Sequence, residues 1–165
     1  AQARPLEESL RMLSIPYRLV GAFAFFERKE VKDILAYLRV AVAPSDRTNF
    51  LRAVAFPPRG IGATSIERFF KFMEREGLSL SRALDRVEEV EGLRTPIRNS
   101  FIELRRVLIR LRAQVRGGAS PSTAGAMLIE ELGVREVLIR DTSEGPGGKG
   151  RWENVKSLLT FMELS

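Results

Sequence analysis

Apolar residues recur every three or four positions along most of this chain, so its elements read as helices almost throughout. Val31, Ile34, Leu35, Leu38 and Val42 mark an amphipathic helix that stops before Pro44. Phe50, Leu51 and Val54 carry the same period from Asp46 to Phe56. Ile66, Phe69, Phe70 and Met73 carry it from Thr64 to Glu76, with Gly77 as a C′ residue. A short helix is predicted over Leu80 to Val87, and the longest over Pro96 to Val115, with proline in its first turn and Gly117-Gly118 beyond its end. The seam of that helix (Ile97, Phe101, Leu104, Leu108, Leu111, Val115) is too short for a dimerising coiled coil and is assigned to intramolecular core. Ser120-Pro121 opens a helix through Leu132, Gly133 stops it, and Arg135 to Arg140 continues helical. Trp152 to Leu164 closes the chain. Near the N-terminus, Leu6 to Met12 reads as a helix and Tyr17 to Val20 as the best strand candidate. The expected fold class is mainly α: a helical domain with helix-turn-helix or hairpin elements and at most one or two short strands near the N-terminus.

Between two of these helices lies Pro57-Pro58-Arg59-Gly60-Ile61-Gly62, a proline stop followed by a Gly-x-Gly turn. Thr64 and Glu67 have the spacing of a capping box at the start of the next helix. A helix N-terminus offers unpaired N–H groups and partial positive charge, so a phosphate is a natural ligand there. Gly60 and Gly62 permit close approach, Arg59 supplies charge, and Thr64 and Ser65 add hydroxyls. The competing reading is a plain helix connection.

Composition narrows the chemistry. The 165 residues, 44% of them apolar, suffice for one domain with a proper core. Histidine and cysteine are both absent, which removes the usual general base, the thiolate nucleophile and the commonest transition-metal ligands. No catalytic residue, metal ligand or cofactor is therefore expected within these residues. No apolar run reaches the length of a membrane span and no signal-peptide core is present, so a soluble intracellular chain is expected. Starting at Ala1 and stopping at Ser165 in mid-helix, it reads as an excised piece.

The net charge of +6 is concentrated in one place. Seven arginines between Arg94 and Arg116 face a single acid, Glu103, which accounts for the whole excess. Arg98, Arg105 and Arg112 each follow a seam position of the longest helix by one residue. They form either a phosphate-tracking stripe or a solvated flank whose stems cover apolar surface. The segment Thr142 to Gly150 is expected to be a flexible loop. Gly145, Gly147 and Gly150 satisfy Gly-x-Gly-x-x-Gly, but a helix rather than a strand precedes them and Gly150 stands where a P-loop needs Ser or Thr. Both nucleotide readings are rejected.

Two further stretches complete a resemblance. Tyr17-Arg18-Leu19-Val20-Gly21 leads into Phe25-Phe26-Glu27-Arg28-Lys29-Glu30-Val31-Lys32-Asp33-Ile34-Leu35-Ala36-Tyr37-Leu38, and Arg59-Gly60-Ile61-Gly62 follows. Together these resemble the UvrD/PcrA/Rep family of superfamily 1 DNA helicases. Ala1-Gln2-Ala3-Arg4 resembles that family's Asn-Ala-Gln-Ser-Arg stretch without its first residue, and Arg151, Glu153 and Asn154 resemble its Arg-x-Glu-Asn return to the motor. The chain departs from the family at Ala3, Ala22 and Ala24.

The resemblance implies the second inserted helical domain, called 2B, over residues 21–165, after a lead from the second RecA-like motor domain over residues 1–20. It further implies that Arg59, Gly60, Ile61, Gly62, Thr64 and Ser65 contact duplex DNA at a fork or single/double-strand junction without reading sequence. Gly21, Phe25, Phe26, Arg28 and Lys29 are implied to lie at a hinge or near the DNA-facing surface; by its own pattern the phenylalanine pair reads as core rather than as a stacking platform. The parent would be a bacterial cytoplasmic enzyme of DNA repair or replication that couples ATP and magnesium to 3′-to-5′ unwinding. The ATPase motifs lie outside these residues, so the fragment is expected to regulate rather than catalyse. Its implied partners are the parent's motor domains. The alternative is a protein-interaction module that recruits repair or transcription proteins with little DNA affinity of its own.

Overall fold

The computed structural model describes residues 24–140 and 147–164. The expected helix at Leu6 to Met12, the Tyr17 to Val20 strand, Gly21 and residues 142–146 of the expected loop lie outside them. The described residues are helical without a strand, and the fold is mainly α. The helices are α1 (Lys29–Val42), α2 (Arg47–Ala55), α3 (Ala63–Arg75), α4 (Leu80–Asp85), α5 (Thr95–Arg116), α6 (Pro121–Leu132), α7 (Val134–Arg140) and α8 (Gly147–Leu164), with a 3₁₀ turn at Val87–Glu89.

Helix α1 is the centre of the molecule. Its run from Ile34 to Leu38 is buried on every side, as a helix must be when neighbours cover all its faces. Helices α2, α5, α6 and α8 pack around it. The predicted seam of α5 is core: Phe101, Leu104, Leu108, Leu111 and Val115 are buried and Ile97 packs against them. Phe69 of α3 stacks between Phe50 of α2 and Phe101 of α5, with centroids 5.6 and 5.2 Å away. This aromatic column fixes the α2–α3 hairpin against the long helix, and with it the turn at residues 56–62.

Local signals end the helices largely where expected. Asp46, Ser79 and Ser120 each cap the helix that follows by accepting a backbone N–H. Gly133 ends α6 in the left-handed region at φ 60°. Two expectations are corrected. The Thr64–Glu67 capping box does not form: the N-cap of α3 is Gly62, two residues before Thr64, so Thr64 already lies in the first turn and no side chain caps the helix. Glu67 instead pairs with Lys71 at 3.0 Å, and that ammonium holds its carboxyl below the usual range. The closing helix begins at Gly147 rather than Trp152, so 147–150 form its first turn. Val155, Leu158 and Met162 anchor it in the core, and once a helix is nucleated each further residue adds a hydrogen bond, glycine included.

Candidate nucleic-acid interface

Helix α2 closes at Ala55, and the chain turns through a cis Phe56–Pro57 peptide before α3 opens at Ala63. Gly60, Gly62, Ala63 and Thr64 are exposed, Ser65 is half-buried, and Ile61 packs against the core edge. No side chain caps this helix end. The first-turn N–H groups of a helix have no partner within it, so here they are open to a ligand acceptor.

The two glycines differ in what they serve. Gly60 has φ +78°, a conformation that side-chain-bearing residues rarely adopt, so the turn itself calls for glycine there. Gly62 is extended, and a Cβ built on it would meet nothing within 4 Å. The fold makes no demand for glycine at Gly62. Its value is an unobstructed surface in front of the α3 amides.

Arg59 does not face outward. Its Nη1 donates to the carbonyls of Ala53 at 2.7 Å and Val54 at 3.3 Å, closing the C-terminus of α2. Its Nη2 donates to the Tyr37 hydroxyl at 2.8 Å, and its own carbonyl accepts from the Ser100 hydroxyl at 2.9 Å. The guanidinium assigned from sequence to the ligand is engaged behind the turn.

Five arginines of α5 also have partners within the fold. Arg98 donates to the Leu93 carbonyl at 3.1 Å, Arg105 to the Asp85 carbonyl at 2.9 Å and to Glu88, and Arg112 to the Ser81 hydroxyl at 3.2 Å. Arg106 pairs with Glu103 and Arg110 with Glu131. The row beside the seam therefore ties α4 and the loop before α5 to the long helix.

The aromatic-basic segment before α1 divides. Phe25 and Phe26 are half-buried and form a three-ring cluster with Phe161 of α8, centroids 5.1 to 5.8 Å apart. Arg28 donates to the Asn154 side-chain oxygen, while the Asn154 amide donates to the buried Glu30 carboxylate at 2.7 Å. These residues join the two ends of the described fold. Lys29 goes the other way: it pairs with Asp33 at 2.6 Å and lies 5.3 Å from the centroid of the Phe56 ring, at the root of the turn. Asp33, almost fully buried, also binds Arg52 of α2 at 2.9 Å.

Sequence reasoning missed Tyr37 and Ser100. A tyrosine inside the apolar run Ile34-Leu35-Ala36-Tyr37-Leu38 was the available signal, because a buried hydroxyl must find partners. Ser100 gave none, since serine in a helix is unremarkable. Among the described residues, no helix is long and apolar enough to cross a membrane.

A helical unit built on a helix–turn–helix edge, entered through an aromatic-basic lead, is the class that fold and turn define. The chain belongs to the UvrD-like helicase C-terminal domain family, which matches residues 1–106. Over 160 residues it is 31% identical to the ATP-dependent DNA helicase PcrA of Leuconostoc citreum, covering 97% of this chain and 21% of that protein. It is 32% identical over 163 residues to DNA helicase II of Escherichia coli K12, covering 97% and 22%. It is 34% identical over 165 residues to the ATP-dependent DNA helicase srs2 of Schizosaccharomyces pombe, covering 94% and 18%. The chain thus spans about a fifth of the length of the curated relatives it matches.

Proposed function

We propose that the chain is the 2B accessory domain, with a lead from the second motor domain, of an ATP-dependent 3′-to-5′ DNA helicase acting in repair or replication. In this reading the turn from Gly60 to Ser65 holds the backbone of duplex DNA ahead of the fork, and the domain's position on the motor governs unwinding. ATP and magnesium belong to the parent's motor domains. Family membership supports the helicase assignment. The observation that carries the DNA contact is Gly62: a glycine the fold does not require, in front of an exposed, uncapped helix end. Such a contact positions DNA without reading its sequence.

Fluorescence anisotropy on a short duplex and on single-stranded DNA, across a salt series, tests this. Duplex-preferring binding should weaken steeply with salt, with a log–log slope of about −0.9 per neutralised phosphate. The decisive variant is Gly62→Asp. It supplies the missing cap, so stability should hold or rise by about a few tenths of a kcal/mol. The same carboxylate occupies the helix end and repels phosphate, so duplex affinity should fall about tenfold or more. Unchanged affinity would place any DNA contact elsewhere. Absence of duplex binding even at low salt would favour the protein-docking module.

A further inference from the structure

The turn's cation, Arg59, spends its guanidinium on partners within the fold, and those partners assign it another task. Behind the turn, Arg59 bridges three elements: the last carbonyls of α2, the hydroxyl of Tyr37 in α1, and, through its own carbonyl, Ser100 in α5. We infer that Arg59, Tyr37 and Ser100 are positioning residues that hold the Gly60–Gly62 turn in the shape that accepts a phosphate, and that none of them touches it. This rests on the reading that the turn binds the duplex backbone.

The chemistry suits the task. A forked, planar guanidinium can serve two carbonyls and a hydroxyl at once, which a lysine ammonium on a flexible stem does poorly. Tyr37 is fully buried, and its hydroxyl also lies 2.9 Å from the Ala53 carbonyl, so the same oxygen that receives Arg59 is tied to the end of α2. Swinging Arg59 out to a phosphate would strip hydrogen bonds from groups with no access to water. Ser100 then fixes the turn's other side, 2.9 Å from the Arg59 carbonyl, immediately before the glycine at φ +78°. A turn with Gly-x-Gly freedom needs such an external hold, because glycine leaves the unliganded backbone many alternatives.

The test uses Tyr37→Phe, Arg59→Gln and the double variant, each confirmed as folded by circular dichroism, on a short duplex over a salt series. Tyr37→Phe removes a hydroxyl that cannot reach DNA, and should weaken duplex binding roughly fivefold. Neither substitution should alter the salt slope, and the double variant should bind no more weakly than Arg59→Gln alone. A slope shallower by about 0.9 in Arg59→Gln would make it a direct phosphate contact and overturn the inference. So would a Tyr37→Phe chain that binds like the parent sequence.

A second readout separates this inference from the DNA reading. The Ile66 amide donates to the Gly62 carbonyl at 3.0 Å, and the Ala124 amide makes the matching bond to Ser120 at the start of α6. In Tyr37→Phe, hydrogen exchange should accelerate at Ile66 more than at Ala124, with or without DNA. If it does so while the parent sequence fails to bind duplex, the bracket stands and the phosphate reading falls. If Ile66 exchanges unchanged, the bracket itself is overturned.

Discussion

At the scale of single residues, burial and backbone geometry separate side chains that the sequence treats alike. Gly60 and Gly62 stand two positions apart with identical chemistry, yet one answers to φ and the other to open space. Tyr37 is the sharpest case of burial. Removal from water pushes its phenol from 10.0 up to about 12, against the pull of the Arg59 charge and with a smaller push from Asp33. A folded pKa above the unfolded one means the neutral form is favoured in the fold. The resulting stability is complete below pH ~10 and is lost as pH rises through ~12. Two units correspond to about 2–3 kcal/mol. Urea unfolding should therefore show stability falling between pH ~10 and ~12, and Tyr37→Phe should lose that part of the fall.

At the scale of elements, close approach of helices decides more than intrinsic propensity. Helices α6 and α8 meet at Gly125, where an added Cβ would lie 3.1 Å from both Leu159 Cδ2 and Met162 Sδ. That separation leaves no room for a large side chain. Gly125→Leu should lower stability by about 1–3 kcal/mol, seen as a reduced melting temperature. Gly125→Ala should sit nearer neutral, because relief of the helical glycine penalty, about 1 kcal/mol, offsets the tight contact. The arginines of α5 make a related point. Their spacing along the helix was visible as a row, but only the neighbouring carbonyls of Leu93 and Asp85 and the hydroxyl of Ser81 show where their donors go.

At the scale of the whole molecule, the two ends of the described fold are clipped together. Arg28, Asn154 and Glu30 form a hydrogen-bonded chain from the start of α1 to α8, and Phe25, Phe26 and Phe161 pack as a cluster spanning the same two segments. Glu30 is buried, and among the described residues Asn154 donates to it, so removing Asn154 takes a hydrogen bond from a carboxylate held away from water. Asn154→Ala should cost about 1–3 kcal/mol in chemical denaturation. The loss should be larger than that of Lys156→Ala, whose pairing with Glu153 is a surface contact.

Periodicity, proline stops and glycine C′ residues were enough to locate the described helices, the start of α8 apart, because each is a local rule acting within a few residues. The core seam of α5, the hairpin around the Gly-x-Gly turn and the family resemblance were legible for the same reason. The Thr64–Glu67 box failed by two residues, within the margin at which a local rule cannot tell the cap from the first turn. What the sequence could not decide was direction: which way Arg59, Arg105 and Arg112 reach, and which of two glycines the fold can spare. Those answers depend on groups 5 to 41 residues away in the chain, brought together only when α1, α2, α4 and α5 pack. A long cationic side chain carries the same charge wherever it points; the carbonyls and hydroxyls that surround it decide whether that charge holds the protein together or meets a ligand.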